Sequence, residues 1–227
     1  MTPRLVLFDL DGTLADTAAD IALVTNRVLA EAGRPPLSVA HVRARVSSGA
    51  RHLLRSGFDS VPDEEELAKL QHRLFNYYAE SPAVHTALFP GLAAVLAQLD
   101  TEHRLWGIVS NKPASLVAPI VASLALPSHP VCTIGGDSYA RRKPDPLPLV
   151  QACSKAQVSP REAVYVGDAR IDAEAARAAG MPLIVAGYGY APERAEVCSW
   201  GEAGYAADAG ELARLLGLPA GADRDAV

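Results

Sequence analysis

Two aspartates separated by one residue, in the string Asp9-Leu10-Asp11-Gly12-Thr13-Leu14, directly follow an apolar run near the start of the chain. In an extended segment entering a turn, side chains two apart point to the same side, and Gly12 lets the backbone turn sharply beside a ligand. Two carboxylates so close repel each other unless a cation or a proton lies between them. One can then attack phosphorus while anchored to a metal. The other, off the metal, can be protonated by its crowded surroundings and serve as acid, then base. A bare Asp-x-Asp turn more often ends a strand and caps a helix; the full six-residue string favours chemistry.

Three further segments carry groups that would serve the same reaction. In Ser110-Asn111-Lys112-Pro113 the proline suits a helix's first turn, so Ser110 and the neighbouring amides stand where a phosphoryl group binds well. Lys143 lies in the proline-punctuated Arg141-Arg142-Lys143-Pro144-Asp145-Pro146, a rigid loop able to hold a cation over a fixed point. Asp168 and Asp172, in Gly167-Asp168-Ala169-Arg170-Ile171-Asp172, are four apart and can face the same strand end, where hard oxygen ligands suit magnesium. Each segment has an ordinary reading as a helix cap, a solvated basic turn or an acidic first helical turn. All of them fall where a strand gives way to a helix, the place where open α/β sheets bind ligands.

Groups gathered in that way need elements that end together. Apolar runs of strand length, Leu5 to Leu10, Leu105 to Ser110, Val131 to Ile134, Ala163 to Gly167 and Pro182 to Ala186, alternate with helical patterns. Near-continuous hydrophobicity suits strands covered on both faces of a parallel sheet. Leu92, Val95, Leu96 and Leu99 sit at helical spacing within Gly91 to Asp100, and an Ala-rich helix from Ile171 to Ala179 closes at Gly180. The expected fold is a doubly wound, Rossmann-like α/β core.

About seventy residues without a strand signal separate the first strand from Gly91, and their pattern is helical. Ile21, Val24 and Val28 form one stripe; Leu67, Leu70, Leu74, Tyr77 and Tyr78 form another. Asp63 followed by Glu66 resembles a capping box, and Pro35-Pro36 breaks the chain between helices. This predicts an all-helical cap over residues 15–83, inserted into a core of residues 1–14 and 84–227. The last ten residues, from Leu218, read as a frayed tail.

Composition narrows the partners. The net charge of −5, from 26 acidic and 21 basic residues, gives no basic surface for nucleic acid or anionic membrane. No apolar stretch approaches bilayer length or a signal peptide's core. Cys132, Cys153 and Cys198 lack the spacing of a disulfide framework or a zinc site, so buried thiols in a reducing, cytoplasmic compartment are expected. The oligomeric state is left open, with a monomer favoured.

In the order and spacing of its motifs the chain resembles the haloacid dehalogenase superfamily, specifically the phosphatases with a small helical cap inserted just after the first motif. The resemblance implies Asp9 as nucleophile, Asp11 as general acid and base, Ser110 as holder of a phosphoryl oxygen and Lys143 as the neutralising cation. It implies Mg2+ held by Asp9, the backbone carbonyl of Asp11 and Asp168, with Asp172 reaching the ion through water. Thr13 and Asn111, inside the first and second motifs, are expected to help bind the substrate. True dehalogenases of the superfamily lack the second aspartate and the metal set, so Asp11 with Asp168 argues for a phosphate ester.

A closer likeness, to phosphoglycolate phosphatases and the related N-acetylmuramic acid 6-phosphate phosphatases, rests on three segments. These are His85 to Gly91, Trp106 to Pro113, and Gly187-Tyr188-Gly189-Tyr190 with Trp200-Gly201. What the resemblance implies is a magnesium-dependent hydrolase of a small-molecule phosphate monoester, acting through an aspartyl-phosphate. A phosphosugar mutase of the β-phosphoglucomutase type is the alternative. Selectivity should come from the cap segment Ser47 to His52, which corresponds to a substrate-facing loop in similar proteins. There Gly49 supplies flexibility and Arg51 a planar cation suited to a carboxylate.

Overall fold

The computed structural model describes residues 2–60 and 62–219, so all but two residues of the expected C-terminal tail lie outside it. The chain begins with β1 (Leu5–Phe8) and β2 (Ala15–Asp16), followed by four helices, α1 (Ala18–Glu31), α2 (Val39–Arg43), α3 (Ala50–Arg55) and α4 (Glu64–Glu80). It returns through β3 (Ala87–Leu88) to α5 (Leu92–Thr101), β4 (Leu105–Val109), α6 (Ala114–Ser123), β5 (Thr133–Ile134) and α7 (Leu147–Ala156). The remainder is β6 (Ala163–Gly167), α8 (Arg170–Ala178), β7 (Leu183–Ala186), α9 (Arg194–Val197), β8 (Gly204–Ala206) and α10 (Ala209–Leu215).

Six strands form one parallel sheet in the order β5-β4-β1-β6-β7-β8. β1 is central, with Leu5 opposite Leu105 on one side and Ala163 on the other. Alternate residues of β1 feed two separate cores: Val6 and Phe8 pack on one face, Leu5 and Leu7 on the other. Because both faces are covered, the run is apolar throughout, as a buried parallel strand requires. β8 was not expected from the sequence. It is a three-residue edge strand, Gly204-Tyr205-Ala206, of which only Ala206 is buried, so no apolar run announces it.

β2 and β3 pair antiparallel, Ala15 with Leu88 and Asp16 with Ala87, making a two-stranded ribbon through which the chain leaves and re-enters the core. Between them α1 and α4 bury the expected stripes, Ile21, Val24 and Val28 against Leu67, Leu70, Leu74 and Tyr78. Tyr77 departs from the expectation: its hydroxyl donates to Glu31, and the Arg27 guanidinium lies 3.5 Å from its ring centroid at the flank of the packing. Asp63 caps α4, accepting from the Glu66 N–H at 2.8 Å.

The ribbon is fastened on both sides. The Tyr190 hydroxyl accepts from the N–H groups of Thr17 (2.9 Å) and Ala18 (2.8 Å) and donates to Asp16 Oδ1 (2.6 Å). Arg43 of α2 holds the other oxygen of Asp16 at 2.7 Å. The buried Asp20 carboxylate accepts from the N–H groups of His85 and Thr86 and from the Thr86 hydroxyl. Among the described residues no helix is long and apolar enough to cross a membrane.

Candidate active site

The turn after β1 is set by its backbone. The Asp9 N–H continues the ladder to Val166 O at 2.9 Å, and the chain then folds back so that the Leu14 N–H reaches Leu10 O at 3.1 Å. Gly12 adopts φ +82°, and a Cβ there would stand 2.4 Å from the Tyr190 ring and 2.7 Å from Asp168 Oδ2. Glycine is therefore demanded by both conformation and space.

Asp9 Oδ1 accepts from the Leu10 N–H at 2.8 Å and pairs with Lys143 Nζ at 3.0 Å. Lys143 is 2% exposed, and its ammonium also donates to Asp172 Oδ1 (2.8 Å) and the Tyr165 hydroxyl (2.6 Å). Burial opposes that charge, but Asp172 and then Asp9 outweigh it and push the lysine up to about 12. The charge is permanent at any working pH. The Tyr165 hydroxyl donates to Val109 O at 2.8 Å, so it accepts from the lysine in a fixed orientation.

Asp168 and Asp172 stand at the junction of β6 and α8. Asp172 Oδ2 accepts from the N–H groups of Asp168 (3.2 Å) and Ala169 (3.0 Å) at the helix start. Asp168 Oδ1 accepts from Thr13 Oγ1 at 2.8 Å, and its Oδ2 from Ser47 Oγ of the helical segment at 2.9 Å. Asp9, Asp168 and Asp172 offer carboxylate oxygens that all lie within 4.8 Å of one another.

Three buried carboxylates face the single cation of Lys143, and the imbalance is felt. Burial, with the nearby Asp172 and Asp11 charges, raises Asp9 to about 6 in spite of Lys143. Burial and then Asp172 and Asp9 raise Asp168 well above the usual carboxylate range. A site of hard oxygens short of positive charge fits a divalent cation such as Mg2+.

Asp11 is held differently. Its Oδ1 accepts from Thr17 Oγ1 at 2.6 Å and from Lys112 Nζ at 2.9 Å, and that ammonium lies 4.2 Å from the ring centroid of Tyr78 on α4. Ser110, 4% exposed at the end of β4, accepts at its hydroxyl from the Lys112 N–H at 3.3 Å. Asn111 Nδ2 donates to Lys143 O at 2.8 Å, tying the second motif to the lysine loop.

These groups open onto a cavity of about 500 Å³ between the core and the helical segment. Asp9, Asp11, Ser110, Asn111, Lys143 and Gly49 line it; Asp168 and Asp172 adjoin Asp9 without lining it. Two expected substrate contacts are not there. Thr13 is wholly buried and its hydroxyl is spent on Asp168, so it supports a carboxylate instead of reaching the cavity. The Arg51 guanidinium donates to Glu64 Oε2 and Gln71 Oε1, both at 2.9 Å, and does not line the cavity, because its partners on α4 draw it outward.

Residues given no role by sequence reasoning also meet here: Lys112 and Thr17 on Asp11, Ser47 on Asp168, Tyr165 on Lys143. Lys112 stood within a quoted motif, and its lysine was the available signal. The others contact their partners across long stretches of chain and leave no local pattern.

Comparison with known proteins bears on what such a site does. Residues 6–186 match the family described as haloacid dehalogenase-like hydrolase. The chain is 36% identical over 201 residues to the N-acetylmuramic acid 6-phosphate phosphatase of Pseudomonas putida, covering 88% of this chain and 90% of that protein. It is 40% identical over 198 residues to a phosphoglycolate phosphatase of Xylella fastidiosa, covering 87% and 86%. The fold is similar to the crystal structure of a predicted phosphoglycolate phosphatase from Haemophilus somnus, with a TM-score of 0.83 at 25% identity over 95% of this chain and 98% of that one.

Proposed function

The chain belongs to the haloacid dehalogenase-like hydrolase family, and on that footing we propose that it is a magnesium-dependent phosphatase that releases inorganic phosphate from a small phosphate monoester through an aspartyl-phosphate on Asp9. The observation that carries the reading is one cavity holding two carboxylates in two different environments. Asp9 is bound to Lys143 beside the acidic cluster, and Asp11 is bound to Lys112 and Thr17 away from it.

In this reading Asp9 attacks phosphorus, and the bond from phosphorus to the ester oxygen breaks as the new carboxyl–phosphorus bond forms. The Asp9 Oδ1 atom is occupied by Leu10 N–H and Lys143, which fixes the plane of the carboxylate before substrate arrives. Asp11 acts as general acid toward the departing alcohol oxygen, then as general base toward the water that hydrolyses the acyl phosphate. Lys143 and the Ser110 hydroxyl are disposed to hold the phosphoryl oxygens. Mg2+, held by Asp9, the Asp11 carbonyl and Asp168 with Asp172 near it, would offset the repulsion between the carboxylates and the phosphoryl group. Residues 15–83 would act as the cap that covers the leaving group.

The candidate substrates are those of the relatives, 2-phosphoglycolate and N-acetylmuramic acid 6-phosphate. Phosphate release from a panel of phosphate monoesters, with magnesium and after chelation, tests the reading. Turnover that vanishes on chelation and returns with magnesium is expected; undiminished turnover in the chelated protein would refute the metal requirement.

A further inference from the structure

Among the described residues, the cavity wall supplied by the helical segment contains no charged side chain. Val46, Leu53, Leu74, Phe75 and Tyr78 make it mostly apolar, and Gln71 is its largest polar group. The cations lining the cavity all come from the core, and two of the three are engaged: Lys143 by Asp9 and Asp172, Lys112 by Asp11. The third is Arg142, exposed at the rim, whose guanidinium has no hydrogen-bond or ion-pair partner among the described residues. The one further acidic group on the rim, Asp137, is turned to the N–H of Ala114 at 2.7 Å.

We propose that Arg142 is a specificity-determining residue that binds a carboxylate on the leaving group, and that the preferred substrate is a bulky acidic ester of sugar size and not a two-carbon one. The proposal rests on the phosphatase reading and deepens it. A volume of about 500 Å³ lies in the range of pockets that enclose drug-sized ligands. A two-carbon acid would fill little of it, would leave the apolar wall wet, and would keep its carboxylate beside Asp9 and Asp11. A larger leaving group covers the wall with its uncharged middle and carries its acid away from those carboxylates toward the rim. Arginine's planar fork suits a carboxylate there, and Lys143, the next residue, is fastened to Asp9, which holds the Arg142 backbone in register with the reacting centre.

Three substrates separate the terms: N-acetylmuramic acid 6-phosphate, N-acetylglucosamine 6-phosphate, which is the same sugar without the lactyl acid, and 2-phosphoglycolate. The wild-type protein with magnesium is expected to show its highest kcat/KM on the first. In Arg142→Gln the ratio of kcat/KM for the first over the second should fall roughly 10- to 100-fold, through KM, as loss of a charged hydrogen bond implies. Arg142→Lys should restore part of that ratio, and Arg51→Ala should leave it where it is. A wild-type preference for 2-phosphoglycolate would overturn the size argument. A ratio unmoved in Arg142→Gln, or moved instead by Arg51→Ala, would overturn the assignment of the residue. Hydrolysis of none of the three, nor of an aryl phosphate, would instead remove the phosphatase reading on which the proposal stands.

Discussion

The core side of the cavity and its helical cover both carry ion pairs, but the pairs differ in kind. On the core side Lys143 and Asp172 have side chains 1% and 0% exposed and share further hydrogen bonds with Tyr165 and the amides that start α8. On the cover Arg51 and Arg55 both reach Glu64, whose side chain is 68% exposed. Buried charges held by several partners cannot move without leaving one uncompensated, whereas exposed pairs form and break at little cost. The floor is built to hold one geometry, and the exposed pairs of the roof can be altered without loss of the fold. That is the arrangement expected if the charged groups that act on the substrate belong to the floor and the roof supplies the apolar wall against which a leaving group packs.

The sharpest way to break this comparison is Asp9→Asn, which keeps shape and removes the charge proposed to attack phosphorus. Turnover should drop by several orders of magnitude while circular dichroism stays that of the wild type. A folded variant with near-normal turnover would end the distinction.

Removing a charge from each side gives the next largest contrast, in stability. Lys143→Met strands Asp9 and Asp172 and should cost about 3–5 kcal/mol in chemical denaturation without magnesium. Arg51→Ala breaks an exposed pair and should cost about 0–1 kcal/mol. Similar costs for the two would show that the floor is no more tightly determined than the roof.

The smallest effect sharpens the account of the floor. Asp9 is raised from 3.8 to about 6, so the folded protein binds more protons there than the unfolded chain does. Its contribution to stability is greatest below 3.8 and is lost as pH rises through about 6, and Asp168, raised as well, carries the loss further in the same direction. The loss from Asp9 is at most about 3 kcal/mol, from two units at about 1.4 kcal/mol each. Melting temperatures without metal should therefore show a decline across this window that Asp9→Asn reduces. Magnesium should stabilise the protein more above pH 7 than at pH 5. A magnesium shift that does not grow with pH would mean that the acidic cluster is not where the ion binds.

That the segments of the floor meet was legible in the alternation of strands and helices, although each residue type alone also suits a cap or a solvated turn. Asp9, Ser110 and Asp168 each follow an apolar run, and the alternation of strand and helix already places such positions together. The roof was harder. Gly49 does line the cavity, but whether Arg51 faced the substrate or the solvent turned on Glu64 and Gln71, which lie on another helix and carry no mark of that pairing. The place of Thr13 was illegible for a similar reason: a hydroxyl in such a motif can serve ligand or protein, and here it is bonded to Asp168, 155 residues away. β8 and the ribbon of β2 with β3 were missed because they are two or three residues long and, unlike the equally short β5, lie in no apolar run of strand length.

The ribbon also bears on how the chain reaches its fold. Leu5 of β1 pairs with Leu105 of β4, about a hundred residues on, so forming that pair closes a loop that contains the whole helical segment. Closure entropy grows only with the logarithm of loop length, at about 0.6 kcal/mol for each doubling, so the inserted helices slow that encounter only modestly. When α1 and α4 have packed and Ala15 lies beside Leu88, the path from β1 to β4 runs directly across the ribbon, and the effective loop shrinks to a small fraction of its contour. A cover whose two ends meet thus adds little to the closure entropy of the sheet it interrupts.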